Sequence, residues 1–134
     1  MATMRGIDVS SHQGEIDPAK LPQVEFCITK ATEGKTYVNP ECDRVVQLCR
    51  KGGLPWGFYH YARNNNPVEE ADHFVSACWN YFGEGIPALD WEEDQGVEWV
   101  NRFLQRVYDK TRVWCWVYAN AWRFDQGTVN RHCD

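Results

Sequence analysis

Apolar and polar positions along this chain keep two rhythms. Unbroken or alternating apolar runs occupy residues 5–10, 24–30, 54–61, 85–93 and 113–118, the pattern expected of short strands. Between them the spacing slows to that of helices. Cys42, Val45, Val46 and Cys49 recur at i, i+3, i+4 and i+7 after Pro40, and Gly52-Gly53 stops them. Pro67 opens a second such stretch after the polar triplet Asn64-Asn65-Asn66. It carries Ala71, Phe74, Val75, Cys78 and Phe82 on one face and is closed by Gly83 and Gly85. A third carries Val97, Val100, Phe103, Leu104 and Val107. Asp17-Pro18 signals a further helix start, residues 11–14 and 31–34 read as loops, and another helix is expected from Ala121 onward.

Strand and helix thus alternate five times, which predicts parallel strands joined by helical crossovers, as a doubly wound sheet or a barrel. In both, chemistry gathers beyond the carboxyl ends of the strands. The distinctive polar residues stand there: Asp8, Lys30, Tyr59 with Tyr61, Asp90 with Glu92, and Tyr118 with Asn120. The fourth strand is the most telling. Its apolar run, opened by Gly85 and Pro87, climbs to Asp90-Trp91-Glu92-Glu93. Alternation puts Asp90 and Glu92 on one face, roughly 6–7 Å apart at their Cα atoms, with Trp91 packing on the other. Paired carboxylates suit general acid work, because crowding and burial raise one pKa while the neighbour stays ionised. The plainer expectation is that they cap the following helix.

Composition narrows the class. The chain has 134 residues, 43% hydrophobic and 25% charged, which predicts one globular domain with a real core. A net charge of -5 speaks against nucleic acid and anionic membranes as partners. No apolar run reaches the roughly 18 residues of a membrane span, and residues 1–5 lack the apolar centre of a secretory signal. The aromatic share is high, with 7 Trp, 6 Tyr and 6 Phe; in a cleft such rings stack on sugar faces. The 6 cysteines lie in strand-like runs or on apolar helix faces, without a CxxC pair. Cys42 and Cys49 would stand about 10 Å apart along one helix, too far to bridge. Buried thiols are expected, and neither a zinc site nor a disulfide framework.

The chain resembles the Chalaropsis-type lysozymes of glycoside hydrolase family 25. The resemblance rests on Gly6-Ile7-Asp8-Val9-Ser10 with Gln13-Gly14, the stretch 26–34, Trp56-Gly57-Phe58-Tyr59-His60-Tyr61, Leu89-Asp90-Trp91-Glu92, and Val117-Tyr118-Ala119-Asn120. It implies an α/β fold, a parallel barrel of five β/α units followed by three strands. Residues 1–134 would form one lysozyme-like catalytic domain with the five units and without the last three strands. The implied activity is a muramidase acting on peptidoglycan glycan strands, at the β-1,4 bond between N-acetylmuramic acid and N-acetylglucosamine. Glu92 would be the general acid. Asp90 would stabilise positive charge or orient the substrate's acetamido group, and Asp8 would position water or substrate. Tyr59, Tyr61 and Tyr118 would contact substrate, and Lys30 would hold the acids in place. Retention, inversion and substrate assistance all remain open. No metal or other cofactor is implied. The protein would be made in the cytoplasm and act on the wall after release or export, with self-association covering open barrel edges. A non-catalytic glycan-binding module is the alternative.

Overall fold

The computed structural model describes residues 6–9, 17–20 and 24–119. The elements are β1 (Gly6–Val9), β2 (Phe26–Glu33), β3 (Tyr37–Val38), α1 (Cys42–Gly52), β4 (Trp56–Tyr61), α2 (Pro67–Cys78), β5 (Ile86–Asp90), α3 (Val97–Thr111) and β6 (Trp116–Tyr118). Single 3-10 turns stand at Pro18–Lys20 and Trp79–Tyr81. The sheet runs β1-β2-β4-β5-β6 with every pairing parallel, and β3 adds antiparallel to β2. The expected parallel order of five β/α strands is what forms. Among the described residues β1 and β6 each pair on one side only, so the sheet is an incomplete barrel curled round a cleft of about 520 Å³.

The helices cover the opposite face. Val45, Val46 and Cys49 of α1, Phe74 of α2, and Val100, Phe103, Leu104 and Val107 of α3 are buried against Phe58 and Leu89. Phe58 and Phe74 lie with ring centroids 5.5 Å apart, and His60 stacks on Phe103 at 5.1 Å. Helix ends follow their sequence signals. Gly53 closes α1 at φ 66°, and the Asn66 side chain accepts from Val68 N at 2.9 Å to cap α2, with Pro67 at its first position. Cys27, Cys42, Cys49, Cys78 and Cys115 are buried thiols, as expected, while Cys133 lies outside the described residues.

Four expectations need correction. Residues 31–33 are strand, not loop: β2 runs on to Glu33 and turns at Gly34, φ 59°, into β3. A bulge between Lys30 and Thr32 makes this possible, pairing Lys30 with Tyr59 and Thr32 with His60, so that Ala31 and Thr32 are both buried. The α2 helix ends at Cys78, so Phe82 reaches the core from the segment after it. Asp17-Pro18 starts a single 3-10 turn. The fourth strand stops at Asp90, which leaves Glu92 in the loop that follows. The helix expected from Ala121 falls outside the described residues.

Candidate active site

Strand alternation and register assemble the site. Ala88 pairs with Tyr59 and with Trp116, and Asp90 pairs with Tyr61 and with Tyr118. The cleft is lined by Asp8, Ile28, Tyr59, Asp90, Glu92, Trp116 and Tyr118, among others. Its floor tolerates no side chain at Gly57, where an added Cβ would meet the Ile86 carbonyl oxygen at 2.7 Å.

Trp91 fixes where the acids point. Its side chain is fully buried on the helix side, its indole Nε1 donates to the Gln95 carbonyl at 2.9 Å, and its backbone N donates to the Tyr118 carbonyl at 2.9 Å. With Trp91 locked into the core, the residues before and after it face the cleft. The packing role expected of Trp91 is the one it has. Helix capping is not what the acids do: α3 starts at Gly96 without a side-chain cap.

Asp90 and Glu92 are hydrogen-bonded to each other. Burial, the Glu92 charge and that hydrogen bond push the Asp90 carboxyl up to about 7, with Asp8 adding to the rise and Lys30 opposing it. Asp90 Oδ1 is buried and makes no hydrogen bond among the described residues. Of the two acids it is Asp90 that is the more buried, because the loop carries Glu92 out into the open cleft. Across the cleft, the buried Tyr59 faces Asp8. Asp8 lies on the open side of the sheet, yet partial desolvation raises its pKa, assisted by the Glu92 charge; the Tyr59 hydroxyl and Lys30 act in the opposite direction. Burial and the Asp8 carboxylate push the Tyr59 phenol well above its ordinary value.

The site residues read from sequence divide into two groups. Asp8, Tyr59, Asp90, Glu92 and Tyr118 line one cleft. Lys30 and Tyr61 stand at its rim: Lys30 Nζ lies 5.2 Å from the Tyr61 ring centroid and pairs with Glu33. The lysine therefore holds an acid, though Glu33 is not one of the three expected. His60 faces away from the cleft, buried with Glu70 at 2.8 Å and Thr32 at 2.7 Å. Burial lowers its pKa, so the ring is neutral, accepting from Thr32 at Nδ1 and donating from Nε2. His12 and His132 lie outside the described residues, and no group of metal-binding side chains occurs among the described ones. Sequence reading passed over Trp116, which is 53% exposed and lines the cleft beside Tyr118. Its i, i+2 spacing to Tyr118 was the available signal.

Known proteins share both the sequence and the shape. The model for glycosyl hydrolases family 25 matches residues 7–133. An autolytic lysozyme of Clostridium acetobutylicum is 44% identical over 75 residues, which cover 54% of this chain and 23% of that protein. The N,O-diacetylmuramidase of Chalaropsis is 26% identical over 152 aligned positions, covering 96% of this chain and 72% of that one. The solved muramidase of Trichobolus zukalii superposes with a TM-score of 0.81 at 25% identity, over 92% of this chain and 69% of that structure. The chain thus spans about a quarter of the length of the clostridial relative. The family match takes in Asp8, Tyr59, Asp90 and Glu92 alike, and this chain belongs to glycosyl hydrolases family 25.

Proposed function

We propose that this chain carries the catalytic site of a muramidase that hydrolyses the β-1,4 bond between N-acetylmuramic acid and N-acetylglucosamine in peptidoglycan. The observation that carries this reading is the hydrogen-bonded Asp90–Glu92 pair facing Asp8 and Tyr59 across one cleft. A pair whose buried member titrates at about 7 retains a proton near neutral pH. That proton passes from Asp90 through the hydrogen bond to Glu92, the member reaching into the cleft, and from Glu92 to the departing glycosidic oxygen as the C–O bond breaks. Asp90, left ionised, stabilises the positive charge developing on the sugar or orients its acetamido oxygen. Water then completes hydrolysis and returns a proton to Glu92. Asp8, faced by Tyr59, positions water or sugar from the opposite wall. The exposed rings of Trp116 and Tyr118 offer a face for a sugar to stack on.

The two relatives named for their activity are a lysozyme and an N,O-diacetylmuramidase, which supports the same chemistry here. Their substrate is met in the cell wall, so the protein acts there after release or export. Among the described residues no helix is long and apolar enough to cross a membrane. The five β/α units make one lysozyme-like domain, and the one-sided pairing of β1 and β6 supports self-association along those edges. Light scattering tests that last point, with a monomer at all concentrations as the contrary result. A non-catalytic glycan-binding reading draws on the same aromatic face. Clearing of purified cell walls by the wild type and Glu92→Gln separates the two. Enzyme activity requires clearing by the wild type alone.

A further inference from the structure

Arg63 stands two residues past the end of β4, and its backbone is held on several sides. Glu70, wholly buried on α2, accepts from His60 Nε2 at 2.8 Å, from the backbone N of Arg63 at 3.0 Å, and from the backbone N and Nδ2 of Asn65 at 3.1 Å each. The Trp99 indole donates to the Asn65 carbonyl at 2.7 Å, and Ala62 N donates to the Asp90 carbonyl at 3.0 Å. The loop after β4 is thereby tied into the core and to the last residue of β5.

From that fixed base the Arg63 guanidinium reaches the end of β2 and the loop after β5. Nε and Nη2 donate to Glu33 Oε2 at 3.1 and 2.8 Å, and Nη1 donates to Glu93 Oε2 at 2.6 Å. The guanidinium also lies 5.3 Å from the centroid of the Tyr61 ring. Glu33 takes the Lys30 ammonium as well; burial pushes its carboxyl up, but the two cations outweigh that and hold it below its ordinary value. The Asn64 side-chain amide donates to Asp94 in the same acidic loop. An isolated surface ion pair is worth little, because ordering two long side chains offsets the attraction. Here the backbone is already ordered by Glu70 and Trp99, and the planar fork engages two carboxylates at once.

We propose that Arg63 is a positioning residue for the acid pair: by holding Glu93 it sets the course of the loop after β5, and so the place of Glu92 beside Asp90. Its catalytic consequence rests on the muramidase reading, whereas its effect on the loop does not. Lysine, a point donor, holds one carboxylate where arginine holds two, so Arg63→Lys restores part of what Arg63→Ala loses.

The test combines amide hydrogen exchange with steady-state kinetics on soluble peptidoglycan fragments. Arg63→Ala is expected to speed exchange at residues 91–95 without lowering the melting temperature of the core. It is expected to reduce kcat about tenfold with KM changed less than about twofold, since small displacements of a reacting group act on the transition state. Glu93→Gln should reproduce both effects, and the double variant should be no worse than either single one. Unchanged exchange at residues 91–95 in Arg63→Ala overturns the proposal whether or not the wild type cuts glycan. Faster exchange with unchanged kcat in an active enzyme overturns it too. A wild type without activity, with the exchange effect present, refutes the muramidase reading and leaves the positioning of the loop by Arg63 upheld.

Discussion

Tyr59 on β4 faces Asp8 on β1 across the intervening β2, and its hydroxyl acts on the Asp8 carboxyl. That hydroxyl favours the ionised form of Asp8 against the desolvation that raises its pKa. Tyr59→Phe removes the donor and keeps the ring. The Asp8 pKa then rises further, and the acidic limb of the pH–rate profile moves to higher pH. A hydroxyl that favours a nearby carboxylate is worth up to about 1.5–3 kcal/mol, so kcat/KM should fall by up to roughly tenfold. A pH profile superimposable on the wild type would contradict this link.

Asp90 gives a stability prediction with a definite sign. Its folded pKa of about 7 lies above the ordinary value of 3.8. Between those values the folded chain binds more protons than the unfolded chain. The associated stabilisation is full below pH 3.8 and is lost as pH rises through about 7. Asp90→Asn should therefore be more stable than the wild type at pH 8, by about 1–2 kcal/mol after allowance for solvent screening. At pH 3 the two should melt alike. Thermal melts at both pH values decide it, and catalysis should fall at least a hundredfold in the same variant.

His60 titrates in the opposite sense. Burial holds its folded pKa below the ordinary 6.5, so the unfolded chain takes up the proton first as pH falls. Its contribution is present above 6.5 and declines below that value. His60→Gln should lose this acid-side slope in denaturant titrations between pH 5 and 7, although the substitution itself destabilises. The Asp90 effect runs the other way in that window and is isolated by repeating the series in Asp90→Asn.

Glu70 is the acceptor that ties this buried histidine to the loop after β4. Glu70→Ala leaves four donors without it, from His60, Arg63 and two groups of Asn65. Leaving buried donors unsatisfied costs about 1–3 kcal/mol per group that water cannot reach. Urea denaturation should show that drop, and a change below 1 kcal/mol would mean the loop does not depend on Glu70.

Gly57 tests the floor of the cleft. Gly57→Ala forces a Cβ to within 2.7 Å of the Ile86 carbonyl oxygen, a backbone atom that has little room to retreat. Overpacking of this kind typically costs about 1–3 kcal/mol. Differential scanning calorimetry should show the lower melting temperature.

The elements with strong period were legible from sequence. Each of the three helices has the buried residues its spacing assigned, apart from Phe82, which lies beyond the end of α2, and Val97, which is only partly buried at the start of α3. Alternation through Asp90, Trp91 and Glu92 gave the right faces even though β5 stops at Asp90, because the buried indole keeps the strand-like course one residue longer. The bulge at Lys30 was not legible, since nothing local distinguishes Ala31-Thr32-Glu33 as loop or strand until Thr32 finds His60 across the sheet. The Arg63 clamp was hidden for a similar reason. Its partners Glu33 and Glu93 lie 30 residues away on either side and meet it only when β2, β4 and β5 stand side by side. Where the shifted pKa falls was also beyond sequence reading, because it depends on which acid the loop buries. Spacing shows that Asp90 and Glu92 share a face but not which of them is covered.

The most direct test of the muramidase reading is the chemistry of the ends released from cell walls. Purified peptidoglycan is incubated with the wild type or Glu92→Gln, and soluble fragments are analysed by mass spectrometry after borohydride reduction. The wild type should release fragments with reduced muramic acid at their ends, and Glu92→Gln should do so at least a hundredfold more slowly. Equal release by the two proteins, or fragments ending in reduced glucosamine, would contradict the account.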